Sequence, residues 1–427
     1  MNQTTLSIPD LEMKGLSYFV RWDEGVVIKF TKLYAHRNKD IDAFVTIWDY
    51  MELSDPKLLG PIRTAITKTW RGVISELVDI SDRDDWRQRL TQASTLVQSA
   101  YEVGQPAVPL GLIESPGLPR ELIQNVLWEG TPAIIFGAPG IGKSLFGLHL
   151  ISGLHTGHPV AGLGVSQTNS MWLDWETNQR LAHWRNKEIL DAKGIESGEW
   201  PDPDRPELAR SGQVYYKQMI GSLADSVEIL AEEIAEFNVG ALLIDSAMPA
   251  AGGEAETGQA TETFYAALRA LKPDDNDLSV LIIAHVTKAS HTDPNSATPF
   301  GSAFWTARAR DTYELKGDHK KGANYTDMML HHRKTNMGPL RDELAFRMTW
   351  GSGATIEAID RTANRELVKS LSYTDRAKIL LEEKGPLDTE ELADLMDLNK
   401  RTLSATLSRD NDFTSQNGKW EPSETNW

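Results

Sequence analysis

Apolar and polar positions along the chain fall into three regimes. In the first hundred residues, short runs Ser17–Trp22 and Val26–Phe30 flank Asp23-Glu24-Gly25, which predicts a hairpin, and Ala43–Trp48 predicts a third strand. Two helical patterns follow, over Ile62–Leu77 and Asp84–Tyr101. From about Leu118 to Asp360 the strand-like runs become continuously apolar: Ala133–Phe136, Ser170–Trp175, Val214–Gln218, Gly240–Ile244 and Leu278–Ala284. They alternate with helical patterns, as in a parallel α/β sheet buried on both faces. From Ser372 onward the runs shorten again. Helices are predicted over Thr374–Lys384, Leu387–Met396 (with Thr389 as N-cap) and Asn399–Arg409, and a β-ribbon over Asp412–Pro422.

The segment Gly104–Pro119 holds four prolines and three glycines and reads as a tether. The chain therefore divides into a small α+β domain at 1–108, a linker at 109–118, an α/β domain at 119–362 and a C-terminal unit at 371–427. Three short helices and a ribbon in that last unit resemble a winged helix-turn-helix, with Lys400, Arg401, Arg409 and Lys419 placed to face DNA. Its net charge is nevertheless negative, so docking to a protein is the open alternative. In the first domain Tyr18, Trp22 and Trp48 are candidates for stacking bases, or, more plainly, for packing on the domain's own helices. No acidic cluster there suggests a primase or polymerase.

Composition narrows the picture. The chain has no cysteine, which excludes disulfides, Cys-ligated zinc and thiol catalysis. No apolar run approaches the roughly 18 residues of a membrane span, and the polar start Met1–Leu11 lacks a signal-peptide core, so a cytoplasmic protein with no membrane partner is expected. The net charge of −17 argues against a broad nucleic-acid-binding coat, though not against a local basic lining.

The chemistry centres on Gly137-Ala138-Pro139-Gly140-Ile141-Gly142-Lys143-Ser144, which fits G-x-x-x-x-G-K-[ST] at every fixed position, between a strand and a helix. Glycines let backbone N–H groups curl around phosphate oxygens at a helix N-terminus. Lys143 is placed for the β- and γ-phosphates and Ser144 for Mg²⁺, so ATP with Mg²⁺ is the expected cofactor. Val239–Ser246 is an apolar strand closing on Asp245, a Walker B pattern that positions Mg²⁺ and Ser144. Ser246 follows where one large class of ATPases has a glutamate, so the base must come from elsewhere. Glu176, at the carboxyl end of Met171–Glu176, is the candidate. There Trp172, Asp174 and Glu176 are expected on one face of the strand. Arg180 and Arg185 follow on a helix, placed for phosphate or for a neighbouring subunit. His285, at the end of Leu281–His285, is placed to sense the γ-phosphate.

These motifs, with Gly301–Arg310 and His332–Pro339, resemble the RecA-like ATPases of the hexameric helicase branch, nearest to RepA-type plasmid and phage replicative helicases and related to DnaB. Asn336 stands where DnaB-type and RadA-type relatives carry arginine. The resemblance implies a RecA-like P-loop core with a parallel sheet and a homo-hexameric ring with nucleotide sites between subunits. It implies Glu176 as general base, and Arg310 and Lys334 reaching a neighbour's γ-phosphate, with Arg308 the rival arginine. It also implies single-stranded DNA in the pore, against the loops Met248–Thr261 and Lys288–Phe300, and other replication proteins on the terminal domains. Those loops carry Glu254 and Glu256 against only Lys288 and His291, so a switch or assembly ATPase and an ATP-regulated DNA binder remain alternative readings.

Overall fold

The computed structural model describes residues 7–14, 16–35, 41–50, 56–66, 70–81, 83, 85–103, 119–195, 214–252, 258–271, 278–286, 298–299, 303–351, 354–369 and 371–423. The Gly104–Pro119 tether, apart from Pro119, and most of the Lys288–Phe300 loop lie outside them, as do Gly301, Ser302, Glu254 and Glu256.

The first unit is an antiparallel meander: β1 (Asp10–Lys14), β2 (Ser17–Arg21), β3 (Val26–Ala35), β4 (Ile41–Asp49) and β5 (Lys57–Ala65), paired in that order. Helices α1 (Arg71–Ile80) and α2 (Trp86–Val103) cover one face. Alternation in β4 buries Ile41, Ala43, Val45 and Ile47 against Leu77, Leu90 and Val97 and leaves the residues between them half-buried. At roughly 2 kcal/mol per fully buried aliphatic side chain, this face accounts for the unit's cohesion. The expected helix over Ile62–Leu77 is corrected. Its first part is β5, because Ile62, Arg63 and Thr64 pair with Val45, Phe44 and Ala43, and only Arg71 onward is helical. Pro61 is tolerated since β5 is an edge strand. Trp22 is 4% exposed in the core, beneath the Arg89 guanidinium, so it packs rather than stacks on a base. Tyr18 shares the core-facing side, opposite Phe30.

The central unit opens with a hairpin, β6 (Glu121–Ile123) and β7 (Leu127–Trp128). The chain then runs β8 (Pro132–Gly137), α3 (Lys143–Thr156), β9 (Asn169–Asp174), α4 (Gln179–Ala192), β10 (Val214–Gln218), α5 (Val227–Glu236) and β11 (Val239–Asp245). It continues through α6 (Ala247–Ala251), α7 (Gly258–Ala270), β12 (Ser279–His285), α8 (Phe304–Arg308), β13 (Asp311–Asp318), β14 (Tyr325–Thr335), β15 (Leu344–Thr349) and β16 (Thr355–Ala358). Nine of these strands form one sheet, ordered β10-β9-β11-β12-β8-β13-β14-β15-β16. The expectation of a parallel sheet holds from β10 to β13; β14 to β16 are added antiparallel by direct hairpin connections, which need no crossover helix. Ile135, Trp172, Leu243 and Ile283 pack on Phe146 and Leu150 of α3. Ile134, Leu173, Leu242 and Ile282 pack on Leu230 of α5 and Phe264 of α7.

The chain ends with α9 (Arg365–Val368), α10 (Tyr373–Lys384), β17 (Leu387–Asp388), α11 (Thr389–Met396), α12 (Lys400–Leu407), β18 (Phe413–Gln416) and β19 (Lys419–Pro422), the three strands ordered β17-β19-β18. The cap of α11 is Asp388, not Thr389: its carboxylate accepts from the N–H groups of Glu390 and Glu391, and Glu391 accepts from the N–H of Asp388. The Thr389 hydroxyl instead accepts from Trp420 Nε1 at 2.9 Å.

Helix α3 also buries His149 at 1% exposure with neither ring nitrogen hydrogen-bonded among the described residues. Burial, aided by the nearby Lys193 ammonium, lowers its imidazole to about 3; the same causes lower His155 to about 4. Unfolded imidazole titrates near ~6.5. The unfolded state therefore binds more protons, and stability falls as pH drops from ~6.5 toward 4. Replacing His149 by Leu is expected to remove on the order of 2 kcal/mol of that loss at pH 4. Thermal unfolding of both proteins at pH 7 and pH 4 checks this; parallel declines would refute it.

Candidate nucleotide site

The phosphate loop leaves β8 at Gly137 and enters α3 at Lys143. Gly140 and Gly142 have φ of 78° and 91°, the left-handed region that side chains disfavour. A Cβ on Gly137 would stand 2.3 Å from the Leu315 carbonyl oxygen, so the loop is seated directly against β13.

Four functional side chains meet at the carboxyl ends of β8, β9, β11 and β12. Lys143 is 5% exposed; its Nζ donates to the Ala138 carbonyl at 2.8 Å and lies 3.5 Å from His285 Nδ1. Burial lowers its ammonium to about 8, against the opposing pull of Asp245 and Glu176. Asp245 is 1% exposed, and burial raises its carboxyl to about 7. Ser144 lies close enough to oppose that rise, yet neither Asp245 oxygen has a partner at full hydrogen-bonding geometry among the described residues.

Glu176 Oε1 accepts a 2.6 Å hydrogen bond from Ser246 Oγ and lies 3.6 Å from His285 Nε2. The His285 contact is the main cause that holds its carboxyl below the usual range; burial opposes it, and Ser246 and Lys143 assist. The run is thus Ser246–Glu176–His285–Lys143, linking the candidate base to the phosphate-loop lysine.

The expectation that β9 continues to Glu176 is corrected. The strand ends at Asp174, whose buried carboxylate accepts from the N–H groups of Glu176 (2.8 Å) and Thr177 (3.1 Å), the Thr177 hydroxyl and the Tyr216 hydroxyl (3.1 Å). Burial, with Asp174 beside it, pushes the Tyr216 phenol up to about 12. The turn lifts Glu176 off the strand and into the open edge. Sequence reasoning treated Ser246 only as a missing glutamate. Its hydroxyl beside a Walker B aspartate was the available signal; contact with Glu176 required two non-adjacent segments to converge.

Arg310 and Lys334 are not part of this cluster. Arg310 N–H donates to the Pro132 carbonyl at 2.9 Å, at the amino end of β8, while the phosphate loop leaves the carboxyl end. Five residues of strand separate the two, roughly 16 Å. Lys334 pairs in register with Thr312 and its ammonium donates to the Ala309 carbonyl, which ties it to the same turn. Burial, then the nearby Arg310 charge, lowers its ammonium. Arg308 is held by Glu262, with Nε–Oε1 at 3.1 Å, whereas Arg310 is exposed and has no ion pair among the described residues. Beneath them His332 Nδ1 accepts from the Arg341 N–H at 3.1 Å, so its Nε2 carries the proton given to Asp311 Oδ1 at 3.0 Å.

The residues fit a magnesium–triphosphate complex. Asp245 offers a buried carboxylate with unfilled acceptor capacity beside the Ser144 hydroxyl, and no cluster of three or more His, Asp or Glu capable of holding a resident metal occurs among the described residues. That is the donor set of an ion held mainly by its nucleotide and water.

Residues 100–291, just under half of the chain, match the family model of the AAA domain AAA_25. The match takes in the phosphate loop, Glu176, Asp245 and His285, and stops before Arg310 and Lys334. With the α/β sheet, it supports a P-loop NTPase core, nucleotide binding and ATPase activity. No curated protein matches the chain. No helix among the described residues is long and apolar enough to cross a membrane.

Proposed function

We propose that this chain is a ring-forming, ATP-dependent replicative DNA helicase of the RepA type, in which hydrolysis between subunits drives movement along single-stranded DNA. The observation that carries the reading is the separation of Arg310 and Lys334 from their own phosphate loop by the length of a strand. Two exposed or half-buried cations on the far edge of the sheet have no reach to their own γ-phosphate. They are well placed to face a neighbour's.

Ser144 and Asp245 would hold Mg²⁺, which would supply charge to offset the phosphates. Lys143, when a triphosphate occupies the loop, exchanges the Ala138 carbonyl for phosphate oxygens. Glu176, kept ionised by His285 and Ser246, orients the attacking water and takes its proton as the water oxygen bonds to the γ-phosphorus and the bond from that phosphorus to the β–γ bridging oxygen breaks, releasing ADP. Ser246 fixes which carboxylate oxygen points inward. His285 touches both Glu176 and Lys143, so loss of the γ-phosphate changes its surroundings and, through it, the loop that follows β12. Arg310 in trans supplies positive charge against the negative charge on the transferring group and the leaving oxygen.

A second reading, an ATPase switch or assembly factor without strand separation, draws support from the C-terminal unit. Residues 371–427 carry 7 Lys+Arg against 12 Asp+Glu, a net of 7 − 12 = −5. The order of α10, β17, α11, α12, β18 and β19 suits a winged helix-turn-helix, but the unit's net charge is negative and Lys400 is shared with Glu390 at 2.9 Å. A forked DNA substrate with ATP separates the readings. The helicase predicts displacement of the annealed strand that stops with a non-hydrolysable analogue; ATP turnover without displacement favours the switch.

A further inference from the structure

The face of the β1–β5 sheet turned away from α1 and α2 has a composition unlike the rest of this acidic chain. Cross-strand register places Phe19 beside Lys29, Arg21 beside Val27, Val27 beside Trp48, and Phe44 between Thr31 and Arg63. Val20, Ile28, Phe30, Val45 and Ile47 point the other way, into the core. Phe19, Phe44 and Trp48 are half-buried on this face.

The Arg21 guanidinium and the Lys29 ammonium each lie 5.2 Å from the centre of the Phe19 ring. A guanidinium held over a ring is itself a stacking surface for a base. Two carboxylates on this face are engaged by its cations, Glu12 by Arg21 and Asp42 by Arg63, both at 3.2 Å, while Asp10 lies opposite Arg21 with no ion pair among the described residues. Such exposed pairs contribute little and yield to a phosphate. The rings are separated by Lys29, Thr46 and Thr31 instead of merging into one apolar patch, and Phe44 and Trp48 stand roughly 13 Å apart along β4. Discrete rings with cations between them suit stacked bases with intervening phosphates better than the contiguous apolar core of a protein interface.

Among the described residues this end of the sheet meets the ATPase unit at α5, where Leu16 also packs on the ATPase core. Glu228, on α5, accepts from Lys29 and from the Ser17 hydroxyl. A phosphate that takes Lys29 must displace Glu228.

We propose that the outer face of the β1–β5 sheet binds single-stranded nucleic acid, with Phe19 and Trp48 stacking bases, Arg21, Lys29 and Arg63 holding phosphates, and Glu228 competing for Lys29. This site is separate from the ring pore and does not depend on the translocation reading. The test uses the full chain without nucleotide and labelled oligo-dT, oligo-rU and duplex DNA, each about 20 nucleotides long so as to exceed one site, with binding followed by anisotropy. Phe19→Leu with Trp48→Leu is expected to weaken single-strand binding about 10-fold or more, while ATP turnover stays at the wild-type rate and shows that the protein is folded. Glu228→Gln is expected to tighten it about threefold, the scale of freeing one phosphate contact. The tighter of the two single strands names the ligand. No single-strand binding by the wild type, equal binding to duplex, or a double variant within twofold of wild type overturns the site. Unchanged affinity in Glu228→Gln overturns the competition. Strand displacement can fail while this binding persists, so the two proposals fall separately.

Discussion

A Lys143→Ala protein is expected to hydrolyse no ATP above background and to bind nucleotide weakly. The ammonium is buried at the mouth of the phosphate loop, where it donates to a backbone carbonyl of that loop and lies beside His285 Nδ1. Burial lowers its pKa to about 8 because the site solvates the charge poorly; phosphates relieve that cost, so lysine and triphosphate stabilise each other. Alanine leaves the β- and γ-phosphates facing a concave site without its cation. The contrast is Glu176→Gln, expected to retain ATP while losing about 10²-fold or more in turnover, the range for a positioned base. Nucleotide affinity and single-turnover hydrolysis on both variants distinguish binding from chemistry. Wild-type turnover in Lys143→Ala would remove the basis of the nucleotide-site assignment.

Mixing two inactive proteins is expected to restore activity. Arg310→Ala leaves the loop, Glu176 and Ser246 intact and alters only a side chain on the opposite edge of the sheet, so it should bind ATP normally and turn over orders of magnitude more slowly, as when an arginine finger is removed. A Glu176→Gln subunit keeps Arg310. In a mixed ring, a site with Glu176 from one subunit and Arg310 from its neighbour has every group. ATPase activity should therefore rise with the mixing ratio and peak at intermediate composition. Rescue needs both an oligomer and a shared site. If subunits exchange, as energy transfer between labelled subunits would report, and no activity returns, Arg310 does not act in trans. Lys334 is then the next residue to test, ahead of Arg308, which Glu262 already holds.

Residues brought together by short-range rules were legible in the sequence. The phosphate loop is contiguous, and glycines at positions of positive φ, a preceding apolar strand and a following helix are all local requirements. Asp245 and His285 could be placed because each closes an apolar run, and strands of a parallel sheet put such ends on one edge. What lay beyond the sequence were choices made by contacts between distant segments. Ile62–Ala65 is a strand because β4 offers it an edge, although its spacing also suits a helix. β9 stops at Asp174 because that carboxylate captures the N–H groups of Glu176 and Thr177. Asp388 rather than Thr389 caps α11 because β19 brings Trp420 onto the threonine hydroxyl. Tyr18, Trp22 and Trp48 look alike as aromatics in an alternating pattern, yet packing of two helices onto one sheet face buries Trp22, turns Tyr18 inward and leaves Trp48 on the outer face with Phe19 and Phe44. Chain-local chemistry specified which groups meet a phosphate. Tertiary packing decided which hydroxyl holds Glu176, which arginine is already spoken for, and that Arg310 and Lys334 stand a full strand away from the loop in their own subunit.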